Sequence, residues 1–549
     1  MKRILLIAFF LNPLFHAVGQ EAEQPRLVVG IVVDQMRMEY LYRYSAKLGA
    51  GGFKRLMGEG FTLSNAHYNY VPTYTGPGHA SIYTGATPAI HGIIGNEYYD
   101  KSTRQTVNCV EDSLYLPVGN ASSNGKVSPS RLMSTTITDE LKISTQFRAK
   151  VVSLSFKDRG AVLPGGHHPD GAYWYDGKSG QFVTSTYYMM QLPAWVQAFN
   201  DRKLPDQFLL QTWKPLLPVD QYVESGPDES PYERRLAGKN TSTFPYNLPE
   251  LRAKNGNYDL LSLTPFANDV LTEFALAALR EEQMGTDATP DFLCISYSTP
   301  DIIGHAAGPQ SVEVEDTYLR LDRNIQQILT TLDKAVGVGK YTVFITADHG
   351  VAEVPQYLKD KSMPAGLLST EKLRSDLVDF LKPYFPGRKL IANVSNEQVF
   401  FDQEAFSSDV KAAGVDMLIA SQLTGNFLMT QEGIYNYYSE STLRQGSFTE
   451  GGIRGMVIRG FHPKRSGDLA YVLQPGWFSG SWPQGTTHQS PWTYDTHIPI
   501  ILFGAGIRHG SSANYRTITD IAPTLALLLK TKFPSGMTGQ PVTEAFLAK

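Results

Sequence analysis

The chain has 549 residues, far more than one minimal domain, and 42% of them are hydrophobic and 19% charged. That is the balance of an ordinary globular protein, which excludes a disordered or fibrous chain. The net charge of -4 leaves no basic footprint for nucleic acid.

The N-terminus reads as a secretory signal over residues 1–19. Lys2 and Arg3 start it, Ile4 to Phe15 is a short apolar run, and Ala17-Val18-Gly19 offers small residues for cleavage, so the mature chain begins near Gln20. The run falls short of the roughly 20 apolar residues that a membrane span needs. No Cys follows it as in a lipoprotein. The expected location is periplasmic or secreted, with no membrane span after cleavage.

Leu27 to Val33 is a continuous apolar run of strand length, and Asp34 follows at once. The same grammar recurs at Val151 to Phe156 before Lys157, Phe292 to Tyr297 before Asp301, and Tyr341 to Thr346 before Asp348. Ile498 to Phe503 reads as another core strand. Runs that are apolar on both faces indicate buried parallel strands. Helical patterns lie between them, the clearest being the stripe of Val314, Tyr318, Leu321, Ile325, Ile328 and Leu332. Residues 520–529, DIAPTLALLL, form another packed helix.

Alternating strands and helices imply an α/β fold, a doubly wound and mostly parallel sheet with helices on both faces. Ligands of such sheets sit beyond the carboxyl ends of the strands, where these polar residues fall. Two stretches break the grammar, at about 110–270, which carries Lys157 and Arg159, and about 356–487. Both are read as insertions into a single catalytic domain over 20–549.

Three carboxylates and three imidazoles fall at strand ends. Asp34 is one; Asp301 and His305 lie one helical turn apart; Asp348 and His349 adjoin Gly350, which permits a turn there; His488 sits in the loop GTTHQS. Imidazole with carboxylate suits zinc, whereas magnesium and calcium prefer all-oxygen shells. Thr75, in Pro72-Thr73-Tyr74-Thr75-Gly76-Pro77-Gly78-His79, precedes a helical stretch. It belongs at or beside the N-cap, where free N–H groups bind anions, and is the candidate nucleophile. His79, His91 and the pair His167-His168 read as loop-orienting, and His497 is the nearest competitor of His488. Of the two cysteines, Cys294 reads as buried and Cys109 as part of a polar loop, with a single disulfide left open.

The motifs VVGIVVDQMR, YVPTYTGPGH, HGIIGNEYYD, SFKDR, EVEDTYLRLDR, ADHG and GTTH, in this order over nearly the whole mature chain, resemble the alkaline phosphatase superfamily. The similarity is to its branch with phosphodiesterases and nucleotide pyrophosphatases, and there to the bacterial phosphate-irrepressible alkaline phosphatases. The resemblance implies an exported, monomeric enzyme that hydrolyses small phosphate monoesters through a covalent phosphothreonine at a two-zinc site. It would place Asp301, His305 and His488 on one Zn2+, and Asp34, Asp348, His349 and the Thr75 oxygen on the other. Asn96, Lys157 and Arg159 would bind the phosphoryl oxygens. Gly76 departs from the larger residues of relatives, which implies a looser pocket. A sulfatase would need Cys or Ser with an Arg in this turn; the alternative is a phosphodiesterase of the same superfamily.

Overall fold

The protein is described by a computed structural model over residues 24–120, 123–406 and 410–547; the expected signal segment lies outside the described residues. The apolar runs become the middle of an eleven-stranded sheet. In chain order its strands are β1 (Leu27–Val33), β2 (Phe61–His67), β3 (Pro117–Val118), β4 (Val151–Ser155), β5 (Gly171–Asp176) and β6 (Gln181–Ser185). Then follow β7 (Asp291–Tyr297), β8 (Tyr341–Thr346), β9 (His497–Gly504), β10 (Gly510–Ser512) and β11 (Arg516–Thr517). They lie side by side as β10-β2-β9-β8-β1-β7-β4-β5-β6-β3, with β11 also on β2.

β8, β1, β7, β4 and β5 run parallel. Every residue of β1, β7 and β8 is buried, which is why these strands read as unbroken apolar runs. β9 corrects the expectation of one more parallel strand, because it is antiparallel to both β8 and β2. A strand enclosed between neighbours is apolar whichever way it runs, so burial carries no directional signal.

The segment 110–270 is not wholly an insertion either. Residues 151–185 supply β4, β5 and β6 to the main sheet, so Lys157 and Arg159 follow a core strand. The sequence GAYWYD of β5 is buried throughout, yet its tyrosines and terminal Asp disguise it as loop. Within 356–487 a separate antiparallel sheet forms from Ile391–Ser395, Gln398–Phe401, Leu469–Leu473 and Ile434–Ser439, in that spatial order. It has its own apolar cluster around Leu373, Leu377, Val399 and Leu469.

Six helices matter for the site: α1 (Thr75–Thr84), α2 (Asp158–Gly165), α3 (Phe266–Glu281), α4 (Thr299–Ala307), α5 (Val312–Leu332) and α6 (Ile521–Leu529). All six residues of the expected α5 stripe are buried, and Ser311 caps the helix by accepting from Val314 N. α1 is buried along its whole length and packs against α2 and α6. Cys109 and Cys294 are both buried and free, which settles the disulfide left open; Cys109 lies in an apolar cluster with Ile93, Ile94 and Trp174 rather than in a polar loop.

One buried carboxylate ties a loop to α5. Asp316 accepts from Trp213 Nε1 at 2.8 Å, Leu216 N at 2.7 Å and Tyr222 Oη at 2.7 Å, and pairs with Arg320 Nε at 2.7 Å. Asp316→Ala orphans all four donors. It should lower the unfolding free energy by about 3–5 kcal/mol, read as a fall in the urea midpoint.

Candidate active site

Four neighbouring strands, β8, β1, β7 and β4, end at one edge of the sheet. Adjacent strands are only ~4.8 Å apart, so the residues that follow them must meet. β8 delivers Asp348 and His349, β1 delivers Asp34, β7 leads into α4 with Asp301 and His305, and β4 delivers Lys157. His488 arrives from the loop before β9. Asp34 N bonds Tyr297 O at 3.0 Å, which joins the ends of β1 and β7.

Lys157 Nζ bridges Asp34 Oδ2 at 2.5 Å and Asp301 Oδ2 at 2.6 Å. His349 Nε2 lies 3.3 Å from Asp34 Oδ1, 3.6 Å from Asp348 Oδ2 and 3.5 Å from Thr75 Oγ1. Its ring stacks on that of His488 with centroids 3.4 Å apart. Asp301, His349 and His488 offer ligand atoms within 4.8 Å of one another, and so do Asp34, Asp348 and His349. The second set is the expected one. In the first, His349 stands where His305 was expected, while His305 Nε2 lies 3.0 Å from Asp301 Oδ1.

The imidazoles are oriented alike. Each Nδ1 meets a backbone carbonyl, His305 with Thr486 O at 2.7 Å, His349 with Gly350 O at 2.9 Å and His488 with Thr73 O at 2.5 Å. A carbonyl only accepts, so Nδ1 carries the proton and Nε2 is the nitrogen turned to the carboxylates. This is the arrangement of a metal-binding imidazole. Asp34 Oδ1 and Asp348 Oδ2 are buried with no hydrogen-bond partner, which such groups avoid unless a cation serves them. The electrostatics agree. Burial and the Asp34 charge hold the Asp348 carboxyl well above its usual range. Burial lowers His349, but Asp348 and Asp34 outweigh it and push the ring up to about 9. Carboxylate with imidazole is a donor set that fits zinc.

Thr75 is the first residue of α1, with Tyr74 as N-cap. Asn96 Oδ1 accepts from Gly76 N at 2.7 Å, so its carbonyl is engaged and its amide is the end left to donate. Gly76 does not loosen the pocket: a Cβ there would lie 3.0 Å from Cys109 Sγ and 3.3 Å from Asn96 Oδ1, so that space is filled. Arg159, in the first turn of α2, lies 3.7 Å from Asp158 Oδ1 rather than on the metal-site carboxylates, and its buried Nε has no hydrogen-bond partner.

Of the competing histidines, three lie elsewhere. His497 stacks on His67 and bonds Ser64 O at 2.9 Å. His167 pairs with Asp139 at 2.8 Å, and His91 bonds Ser81 Oγ at 3.0 Å. His79 stays beside the cluster, its Nδ1 3.4 Å from Asp348 Oδ2, and bonds Thr75 O at 2.9 Å and Ser296 Oγ at 2.8 Å, orienting the turn that carries Thr75.

Several site residues escape sequence reasoning. Gln35, at φ 67°, turns back after Asp34 so that its Nε2 donates to Asp301 Oδ1 at 2.7 Å and its N to Asp348 Oδ1 at 3.2 Å. Its only signal was adjacency to Asp34. Gly350 is needed less for a turn than for closeness, because a Cβ would lie 2.2 Å from Tyr494 O. Asp495, 1% exposed, holds the His488 loop: Oδ2 accepts from Gln489 N at 3.1 Å, Ser490 N at 2.8 Å and Ser490 Oγ at 2.6 Å.

Residues 28–497 match the family model described as type I phosphodiesterase / nucleotide pyrophosphatase. The chain is 43% identical over 525 residues to alkaline phosphatase PhoV of Synechococcus elongatus, covering 96% of this chain and 94% of that one. It is 43% identical over 525 residues to alkaline phosphatase PafA of Elizabethkingia meningoseptica, covering 95% and 94%. The crystal structure of wild-type PafA superposes with a TM-score of 0.91 at 42% identity, over 95% of this chain and 99% of that one. A protein of Myroides odoratus that bears the name calcium-transporting ATPase is 43% identical over 536 residues, 96% of each chain.

The Asp495 contacts make a measurable claim. Asp495→Ala frees the loop that carries His488, and loss of a supporting hydrogen bond behind a ligand costs roughly 10–100-fold in metal affinity. Competition with a chromophoric chelator should register a drop of at least about tenfold, with the circular dichroism of the fold unchanged.

Proposed function

As the chain belongs to the type I phosphodiesterase / nucleotide pyrophosphatase family and is a phosphatase, we propose that it hydrolyses phosphate monoesters through a covalent phosphothreonine at Thr75. The observation that carries this reading is one buried cluster. It holds a helix-N-terminal hydroxyl, carboxylate and imidazole donors, and a lysine ammonium within 2.5–2.6 Å of two of those carboxylates.

Asp301, His305 and His488 would hold one zinc ion and Asp34, Asp348 and His349 a second. Zinc ions held there supply positive charge to the attacking and leaving oxygens of a phosphoryl transfer. The chain's own residues do the rest. Thr75 Oγ1 attacks phosphorus as the bond to the ester oxygen breaks, and the alcohol leaves with a proton. Water then attacks the same phosphorus, the bond to Thr75 breaks, and inorganic phosphate departs. Two inversions give net retention. Asn96 presents its amide to a phosphoryl oxygen, since its carbonyl is held by Gly76 N. Arg159 offers a buried guanidinium with an unused Nε donor, and Lys157 adds a point charge. Residues 1–19 would export the enzyme to the periplasm or beyond.

The family name also covers diester hydrolysis. The count of charges favours monoesters: two zinc ions would balance Asp34, Asp301, Asp348 and the ionised Thr75 oxygen, which leaves Lys157 and Arg159 to match the dianion of a monoester, while a diester carries one charge. The name of the Myroides relative points instead to transport, but among the described residues no helix is long and apolar enough to cross a membrane, and the buried donor cluster is one that serves hydrolysis.

Thr75→Ala should lose most activity while keeping bound metal, and Thr75→Ser should stay active; an Ala variant at the parental rate on an aryl phosphate would remove Thr75 from the reaction. Replacing Lys157 and Arg159 together by Ala should slow aryl monoester hydrolysis about a hundredfold or more, at roughly 1.5–3 kcal/mol for each charge-assisted bond. Diester hydrolysis should fall far less. Equal losses on both substrates would assign the pair to folding or general catalysis.

A further inference from the structure

The hairpin between Ile391–Ser395 and Gln398–Phe401 turns through two residues, Asn396 at φ 53° and Glu397 at φ 55°. Two-residue turns of this hand favour Asn then Gly. A glutamate in the left-handed region is costly and persists where its surroundings hold it. Here both central side chains leave the accessory sheet and reach the turns of the catalytic cluster.

Glu397 is buried. Its Oε2 accepts from Tyr74 Oη at 3.1 Å and its Oε1 from Ser479 Oγ at 2.8 Å. Its backbone carbonyl accepts from Tyr471 N at 2.8 Å. Tyr74 Oη also meets Gln489 Oε1 at 3.0 Å, and the Tyr74 ring stands edge-on to His488 with centroids 5.8 Å apart. Asn396 Nδ2 donates to Glu97 O at 2.5 Å. The partners form a pattern: Tyr74 immediately precedes Thr75, Gln489 immediately follows His488, and Glu97 immediately follows Asn96. One turn therefore grips the sequence neighbours of the nucleophile and of a phosphoryl-oxygen donor directly, and reaches that of a metal donor through the shared Tyr74 hydroxyl.

We infer that Asn396 and Glu397 are positioning residues for the hydrolysis, fixing the segments of Thr75, His488 and Asn96 relative to one another without touching the reacting atoms. The inference rests on the roles assigned to those three residues under the proposed function. Its physical basis is that three segments far apart in sequence must keep a common geometry, and displacements near 1 Å cost rate steeply. The accessory sheet, joined to the catalytic sheet through this tip, is then part of the catalytic frame.

The test uses the full-length, zinc-loaded enzyme. Glu397→Ala should lower kcat for an aryl monoester about tenfold or more with KM within about twofold, and Glu397→Gln, which keeps length and hydrogen bonding, should restore most of it. Leu377→Ala in the core of the accessory region serves as the stability control and should keep the parental kcat. Parental kcat in Glu397→Ala overturns the inference, and so does an equal loss in Leu377→Ala. Should Glu397→Ala not fold, Tyr74→Phe removes only the shared hydroxyl; a several-fold fall in kcat supports the inference, and no fall overturns it. Thr75→Ala measured alongside separates the two levels: an active Thr75→Ala sinks the proposed function itself, whereas an inactive one beside an unaffected Glu397→Ala sinks only the positioning role.

Discussion

Three carboxylates, Asp34, Asp301 and Asp348, are buried at the ends of neighbouring segments, and that concentration of negative charge is the constraint on which the rest of the site depends. Like charges taken out of water repel one another and lose hydration. Positive charge and donors must therefore be brought to them. Lys157 bridges two of the three, Gln35 donates to Asp301 and Asp348, and the imidazoles turn Nε2 inward because backbone carbonyls hold Nδ1. Two carboxylate oxygens still lack a hydrogen-bond partner, which makes the cluster a place for cations.

The sheet order is what makes this concentration attainable. Because β8, β1, β7 and β4 are adjacent and parallel, their carboxyl ends open at one edge and deliver charge to one point. The antiparallel β9 contributes differently. It begins after the loop that brings His488 back over the site, with Asp495 gripping that loop from behind. Gly350 lets the two meet, since a side chain there would run into Tyr494 O. The accessory sheet adds the outer contact through Glu397 and Asn396.

The residues differ in how plainly they could be read. Asp34, Asp301, Asp348 and Lys157 were legible because each follows an apolar run that could only be a buried strand, and a charged group in that place calls for an explanation. His488 was legible only through the motif GTTH. Gln35 carried no signal beyond its place after Asp34, and Glu397 none, because their importance lies in partners hundreds of positions away, Asp301 for Gln35 and Tyr74 for Glu397. Asp495 has near partners, Gln489 and Ser490, but nothing in the sequence marks the loop it holds as one that folds over the site. β5 was hidden by its tyrosines, and Cys109 by polar neighbours in sequence that do not surround it in space.

By itself, then, the order of residues determined most of the core strands and which polar groups stand at their ends, because periodicity and strand length are local properties of the chain; that those carboxylates and imidazoles meet the Thr75 hydroxyl was implied only by the family resemblance. Only the tertiary structure decided the direction of β9, the membership of β5 and β6 in the main sheet, the free state of both cysteines and the reach of the Asn396-Glu397 turn into the catalytic cluster. These depend on hydrogen bonds and burial between distant segments, and such contacts come into being only when the whole sheet assembles.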